Sequence, residues 1–155
     1  MAKIKIAHKA SPLPAYLHPL LDSINEIITT HHDGFYSHIQ AHYNSCNITL
    51  YSNPQDNLAW HNDNDKLFQT QSTLHHKSIT SISLGAARQF EFKHKRTQQF
   101  FDVTLDNGSS TIMEKATQQN YNHQIPPTTQ HEHNFNNIRL SITFRHIPDE
   151  NHNHD

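Results

Sequence analysis

Arg139-Leu140-Ser141-Ile142-Thr143-Phe144-Arg145 alternates without a break between large apolar residues and residues that carry a charge or a hydroxyl. A period of two is the mark of a strand with one face in a core. Leu140, Ile142 and Phe144 make the apolar face, and Arg139, Ser141, Thr143 and Arg145 the polar one. Only four arginines occur in the chain, so two of them six residues apart on one strand face call for an account. They mark either an exposed basic face or a polar barrel interior, in which a guanidinium grips a carboxylate with its fork of donors.

Outward from this strand, the same period recurs. Residues 46–51 read as a strand, with Ile48 and Leu50 on one face and Thr49 and Tyr51 on the other. Ser52 to Asn57 is a turn cluster. Ser78 to Leu84 is a strand that ends in a bend at Gly85, and Arg88 to Lys95 alternates Phe90 and Phe92 with Glu91 and Lys93. Phe101, Val103 and Leu105 follow, closed by Asp106-Asn107-Gly108 as a hairpin-type turn. Ser110 to Glu114 is short and extended, and residues 115–122 read as a loop leading to His123. Before all of these, Leu17, Leu20, Leu21, Ile24, Ile27 and Ile28 fall at helical spacing, with Pro19 in the first turn and Gly34 as the stop. Weaker strand patterns lie at residues 3–6 and 35–40. One helix and then many short strands predict a mainly β (α+β) fold, a jelly roll with an N-terminal helix packed on it.

With 155 residues the chain is expected to form one domain over residues 1–148, followed by a disordered, His-rich acidic tail at 149–155. Cys46 is the sole cysteine, which excludes a disulfide framework and a cysteine-based zinc site within one chain. No run approaches the roughly 18 apolar residues of a membrane span, and the first 15 residues lack a signal peptide's apolar core. A soluble, cytoplasmic monomer is the expectation. A net charge of −2 supplies no global attraction to nucleic acid, so any such binding needs a local patch.

Chemistry concentrates at Trp60-His61-Asn62-Asp63-Asn64-Asp65. On an extended segment His61 and Asp63 point to the same side, which gives two thirds of a 2-His-1-carboxylate set, a facial triad that leaves positions open at Fe(II). The chain has 16 histidines and a second His-x-Asp at His31-His32-Asp33, which reads as a helix end. The third ligand would come from His75, His76, His94 or His123. The first two sit on polar loops close in sequence to the motif, whereas His123 stands beyond a strand and before Ile125-Pro126.

These pieces together resemble the AlkB family of Fe(II)- and 2-oxoglutarate-dependent nucleic-acid dealkylases. The resemblance runs from Cys46 to Ile147 in the family's order: Trp60 to Asp65, then Ser81 to Ala86 with Arg88, Phe90 and Phe92 to Lys95, then Gly108-Ser109 and Met113, then Tyr121-Asn122-His123, and last Arg139 to Arg145. It implies a double-stranded β-helix in which His61, Asp63 and His123 hold Fe(II). It implies that Arg139 pairs with the distal carboxylate of 2-oxoglutarate, that Tyr51 hydrogen-bonds this co-substrate and that Arg145 braces it. Asp65 matches a position that contacts the target base in some members. Trp60, Arg88, Lys93, Lys95 and Arg96 complete the expected substrate side, with the basic cluster at 93–96 the place for phosphate contacts.

The implied reaction is oxidative demethylation of N-alkylated bases in DNA or RNA, which consumes O2 and 2-oxoglutarate and releases formaldehyde, succinate and carbon dioxide. A base inside a duplex must be flipped out, or come from single-stranded substrate, to reach such a site. The chain departs from the family pattern in three places. Thr49 and Ser141 stand where the family has asparagines near the co-substrate, and a hydroxyl has a shorter reach than an amide. Few residues precede Leu17, and Tyr16 is their one aromatic, so the expected nucleotide-recognition lid is shortened. The alternatives are a dioxygenase acting on a protein or small molecule, and a non-catalytic metal- or 2-oxoglutarate-binding remnant.

Overall fold

The computed structural model describes residues 12–30, 43–63, 78–129 and 137–146. Among them are two helices, α1 (His18–Thr30) and α2 (Lys115–Asn120). The strands are β1 (Ser45–Tyr51), β2 (Leu58–His61), β3 (Ile79–Gly85), β4 (Arg88–His94), β5 (Phe100–Leu105), β6 (Ser110–Met113), β7 (Tyr121–Ile125) and β8 (Arg139–Arg145). They form two antiparallel four-stranded sheets, ordered β1-β8-β3-β6 and β2-β7-β4-β5. Successive strands mostly switch sheets, the connectivity of a jelly roll.

The alternation in β8 sorts its residues between two environments. Ile142 and Phe144 are buried with Ile24 and Tyr43 on the outer face of the first sheet, where Leu20 and Leu21 of α1 also pack. Phe144 has no exposed surface, and burying a side chain of this size is worth about 1.5–3 kcal/mol. The polar residues of β8 face inward, toward the second sheet. Between the sheets lies a second core of Tyr51, Ile79, Met113, Phe90, Phe92, Leu105 and Ile125. This core fills one part of the interface, and the inward polar residues border a cavity of about 260 Å³ in another.

Several expectations change. Residues 115–120 form α2 rather than a loop, and His123 is carried within strand β7. Asp106-Asn107-Gly108 joins β5 of one sheet to β6 of the other, so it closes no hairpin. It docks on the end of β3, where Gly108 N–H donates to Ser83 O and Asn107 Oδ1 accepts from Gly85 N–H. The local turn signal was sound, but strand pairing is decided by distant partners. Ile27 is 52% exposed and does not join the core face of α1. Gly34, His31-His32-Asp33, the weak strand patterns at 3–6 and 35–40, and His75 and His76 lie outside the described residues. No helix among the described residues is long and apolar enough to cross a membrane.

Candidate metal and co-substrate site

His61 ends β2 and sits directly opposite His123 of β7. Asp63 follows two residues later. His123 Nε2 lies 3.4 Å from Asp63 Oδ2, and His61 Nε2 lies 3.9 Å from Asp63 Oδ1. One donor atom from each of the three falls within 4.8 Å of the others. His61 Nδ1 is 2.8 Å from the Ala59 carbonyl. A carbonyl only accepts, so Nδ1 donates to it, and Nε2 is the ring nitrogen turned toward Asp63.

His123 is held by rings instead. It is buried, with Phe90, Phe92 and His61 packed around its imidazole at centroid distances of 5.3, 6.0 and 4.3 Å. Burial is the largest influence on the Asp63 carboxyl and pushes its pKa up. The His123 hydrogen bond and the charges of His123, Arg145 and His61 together outweigh it and hold the carboxyl below its ordinary value. The group is therefore ionised at neutral pH. His94, another candidate third ligand, is used elsewhere: its Nδ1 accepts from Arg96 N–H and Thr97 N–H in the β4–β5 turn.

The same cavity is walled on its other side by Thr49 and Tyr51 of β1 and by Arg139, Ser141, Thr143 and Arg145 of β8. Arg139 is 1% exposed. Its Nη2 donates to Ser83 Oγ at 3.1 Å, and its guanidinium carbon lies 4.9 Å from the centre of the Tyr51 ring. Nε and Nη1 are buried and meet no acceptor among the described residues. A buried guanidinium with two open donors is a strong site for a carboxylate, since an unpaired buried charge is costly. The Tyr51 hydroxyl is pushed above its ordinary pKa by burial, with Arg139 and Arg88 pulling the other way. It stays a neutral donor. Ser141 Oγ is 2.9 Å from Ser81 Oγ, which also reaches Thr143 Oγ1 at 3.1 Å. The Ser141 hydroxyl is thus tied into a cross-strand cluster.

The expected substrate side is scattered. Arg88 shares the inward parity of Phe90 and Phe92; it is buried, donates from Nη2 to Asp56 O and Pro126 O at 2.6 Å each, and stacks on Tyr51. Its position is that of an internal strut. Lys95 Nζ donates to the Gln118 and Gln119 carbonyls at 2.8 and 2.9 Å. Trp60 and Lys93 lie together on the outer face of the second sheet, Nζ being 4.5 Å from the ring centroid, with Phe100 edge-on to Trp60. Arg96 is exposed in the β4–β5 turn, and Asp65 lies outside the described residues.

Sequence reasoning missed Ser81, Ser83 and Gln118. The two serines alternate with Ile82 and Leu84, so the parity argument used for β8 would have found them. Nothing in the sequence marked Gln118, whose helix reads as a loop.

The donor chemistry fits Fe(II): two imidazoles and one carboxylate, converging from one edge of a sheet with open space in front. Arg139 and the hydroxyls beside it fit the far end of a dicarboxylate such as 2-oxoglutarate. Comparison with known proteins points the same way. A sequence model of the 2OG-Fe(II) oxygenase superfamily matches residues 3–145. Alpha-ketoglutarate-dependent dioxygenase alkB homolog 3 of Homo sapiens is 32% identical over 112 residues, covering 66% of this chain and 36% of that protein. The DNA oxidative demethylase ALKBH2 of Arabidopsis thaliana is 24% identical over 128 residues, covering 68% of this chain and 38% of that protein. The chain thus spans little more than a third of the length of these curated relatives. The solved structure of OsALKBH1 shares the fold, with a TM-score of 0.52, 21% identity, and coverage of 67% of this chain and 48% of that one. Triad, carboxylate pocket and the match over residues 3–145 together place the chain in the 2OG-Fe(II) oxygenase superfamily, with alkB homologues among the proteins it is similar to.

Proposed function

We propose that this protein oxidatively demethylates N-alkylated bases in single-stranded or flipped-out DNA or RNA, as an Fe(II)- and 2-oxoglutarate-dependent dioxygenase. The observation that carries the reading is one cavity bordered by both the His61–Asp63–His123 cluster and the open donors of Arg139. The relatives named as alkB homolog 3 and DNA oxidative demethylase support the substrate class.

His61, Asp63 and His123 would hold Fe(II) on one side, leaving coordination positions toward the cavity. Fe(II) with 2-oxoglutarate and O2 supplies the oxidation of an N-linked methyl group, which leaves as formaldehyde. Arg139 would bind the distal carboxylate of 2-oxoglutarate through Nε and Nη1, and the protonated Tyr51 hydroxyl would donate to the same molecule. Ser141, Thr49 and Arg145 would line its flank. Orienting the co-substrate in this way is the protein's main contribution, since the reactive chemistry belongs to the bound groups. The apolar rings of Phe90 and Phe92 back the triad and limit water around it.

Phosphate contacts are assigned to Arg96 and Lys93, whose neighbours Arg88 and Lys95 spend their charge inside the fold. The test is formaldehyde release from single-stranded oligonucleotides carrying 1-methyladenine or 3-methylcytosine, with Fe(II), O2 and 2-oxoglutarate supplied and an Asp63→Ala variant run alongside. Release that depends on Asp63 is the expected result. Its absence, in protein shown to bind Fe(II) and 2-oxoglutarate, would overturn the substrate assignment.

A further inference from the structure

Asp63 stands beyond the last register pair of β2 with β7, so the ladder that fixes His61 does not fix the carboxylate ligand. Among the described residues, a side chain holds its backbone. Asp63 N–H donates to Gln118 Oε1 at 3.2 Å. Gln118 is 7% exposed, and its other end, Nε2, points at Met113 Sδ 3.6 Å away. The amide is thus used at both ends, with its acceptor committed to the metal-ligand residue.

The element that carries Gln118 needs support of its own. α2 has six residues, far below the roughly 12–15 at which an isolated helix becomes even marginal in water. Lys95 supplies the support by clamping the Gln118 and Gln119 carbonyls with Nζ, while its N–H donates to Asn120 O at 2.8 Å. Asn62 is tied to the same region, with Nδ2 donating to Asn122 Oδ1 at 3.2 Å. A line of polar contacts therefore runs from the β4–β5 turn through α2 to Asp63.

We infer that Gln118 is the positioning residue of the metal centre. By holding the Asp63 N–H it fixes the backbone from which the carboxylate reaches the two imidazoles. Without it, the Asp63 N–H loses its acceptor, and the backbone that carries the third ligand is held less firmly on the face set by β2 and β7. The inference rests on the assignment of His61, Asp63 and His123 as a metal centre; it does not depend on the substrate.

Three variants separate positioning from packing. Gln118→Met keeps length and bulk against Met113 but removes the acceptor. Gln118→Asn keeps the amide but is one methylene too short. Gln118→Glu keeps an acceptor at the same reach. The measurements are Co(II) titration of the metal-free protein followed by visible absorption, and hydrogen exchange of the Asp63 amide before metal is added. Loss of an outer partner of a metal ligand costs 10–100-fold in affinity as an order of magnitude. Gln118→Met and Gln118→Asn are expected to lose about that much, to exchange the Asp63 amide faster, and to unfold thermally as cooperatively as the parent. Gln118→Glu is expected to restore both readings. Parental Co(II) affinity in the Met and Asn variants would overturn the inference, as would a loss in Gln118→Glu equal to that in Gln118→Met. Failure of the parent protein itself to bind Co(II) would overturn the metal centre, and the inference with it.

Discussion

His61 and His123 are register partners across β2 and β7, with ring centroids 4.3 Å apart and planes inclined at 69°. Side chains of directly opposed residues lie on the same face of a sheet, so one backbone pairing places both imidazoles toward the cavity. Only the carboxylate must then be brought in from outside the ladder. The His61–Asp63–His123 cluster is accordingly held by the β2–β7 pair on its imidazole side and by the Asp63 tether on the other.

Asp63→Asn preserves the volume of the side chain and removes the anionic ligand. A metal present at about 100 times its dissociation constant stabilises a folded protein by about 2.7 kcal/mol. Thermal unfolding of the parent is expected to shift upward with Co(II) or anaerobic Fe(II), and that shift is expected to vanish in the variant. A metal-dependent shift that survived in Asp63→Asn would remove this residue from the ligand set.

Arg139→Lys keeps a positive charge but gives up the planar fork. A hydrogen bond to a charged group is worth about 1.5–3 kcal/mol, so 2-oxoglutarate affinity is expected to fall by at least about tenfold while Co(II) affinity is unchanged. Calorimetric titration of each ligand separately checks both halves. Equal affinity for 2-oxoglutarate in parent and variant would move the co-substrate elsewhere.

Gly85 has φ +91°, and a Cβ there would collide with the Ile138 carbonyl oxygen. That oxygen already accepts from Ala86 N–H, and Gly85 pairs with Arg139 in the β3–β8 ladder. Gly85→Ala therefore strains the backbone beside Arg139. The expected cost is about 1–3 kcal/mol in urea denaturation, the usual range for a residue held in an unfavourable backbone region, accompanied by weaker 2-oxoglutarate binding.

Lys95 and Arg96 are adjacent in sequence and predicted to behave differently. For single strands, each phosphate contact adds about 0.7 to the slope of log affinity against log salt. Arg96→Ala is expected to lower the slope by about that amount, and Lys95→Met is expected to leave it unchanged while loosening α2. Oligonucleotide binding measured across a salt series decides between them.

Tyr43 is buried, and its hydroxyl meets Ser78 Oγ and Thr80 Oγ1 at 3.0 and 2.8 Å. Burial raises its pKa above the ordinary 10.0, and the two hydrogen bonds offset only part of the rise. The folded chain holds the phenol proton more tightly than the unfolded one. Stability from this source is therefore complete below 10.0 and is lost as pH climbs past it toward the raised folded value. The limit is about 1.4 kcal/mol per pH unit for one proton. Tyr43→Phe is expected to flatten the alkaline slope in urea denaturation above about pH 10, while costing about 1–3 kcal/mol at neutral pH through the stranded hydroxyls.

The alternation in Arg139 to Arg145 and in Arg88 to His94 was legible in the sequence, because the pleat is a local property and each residue's parity fixes its face. The same rule put Thr49 and Tyr51 on the face opposite Ile48 and Leu50. It says nothing about partners. Asp106-Asn107-Gly108 looked like a hairpin and turned out to cross between sheets. Ile27 kept helical spacing with the core residues and still lies in solvent, because α1 rests on the sheet along a narrower stripe than its apolar face.

The sequence by itself determined the strand content, the inward polar face of β8, and the His61–Asp63 pairing, since each depends on residues within a few positions of one another. Tertiary structure alone decided that His123 stands opposite His61, that Arg88 and Lys95 turn their charges inward, and that Gln118 reaches Asp63. These depend on contacts between residues 23 to 62 positions apart, and such pairings are fixed by how the two sheets close on each other, which no local pattern encodes.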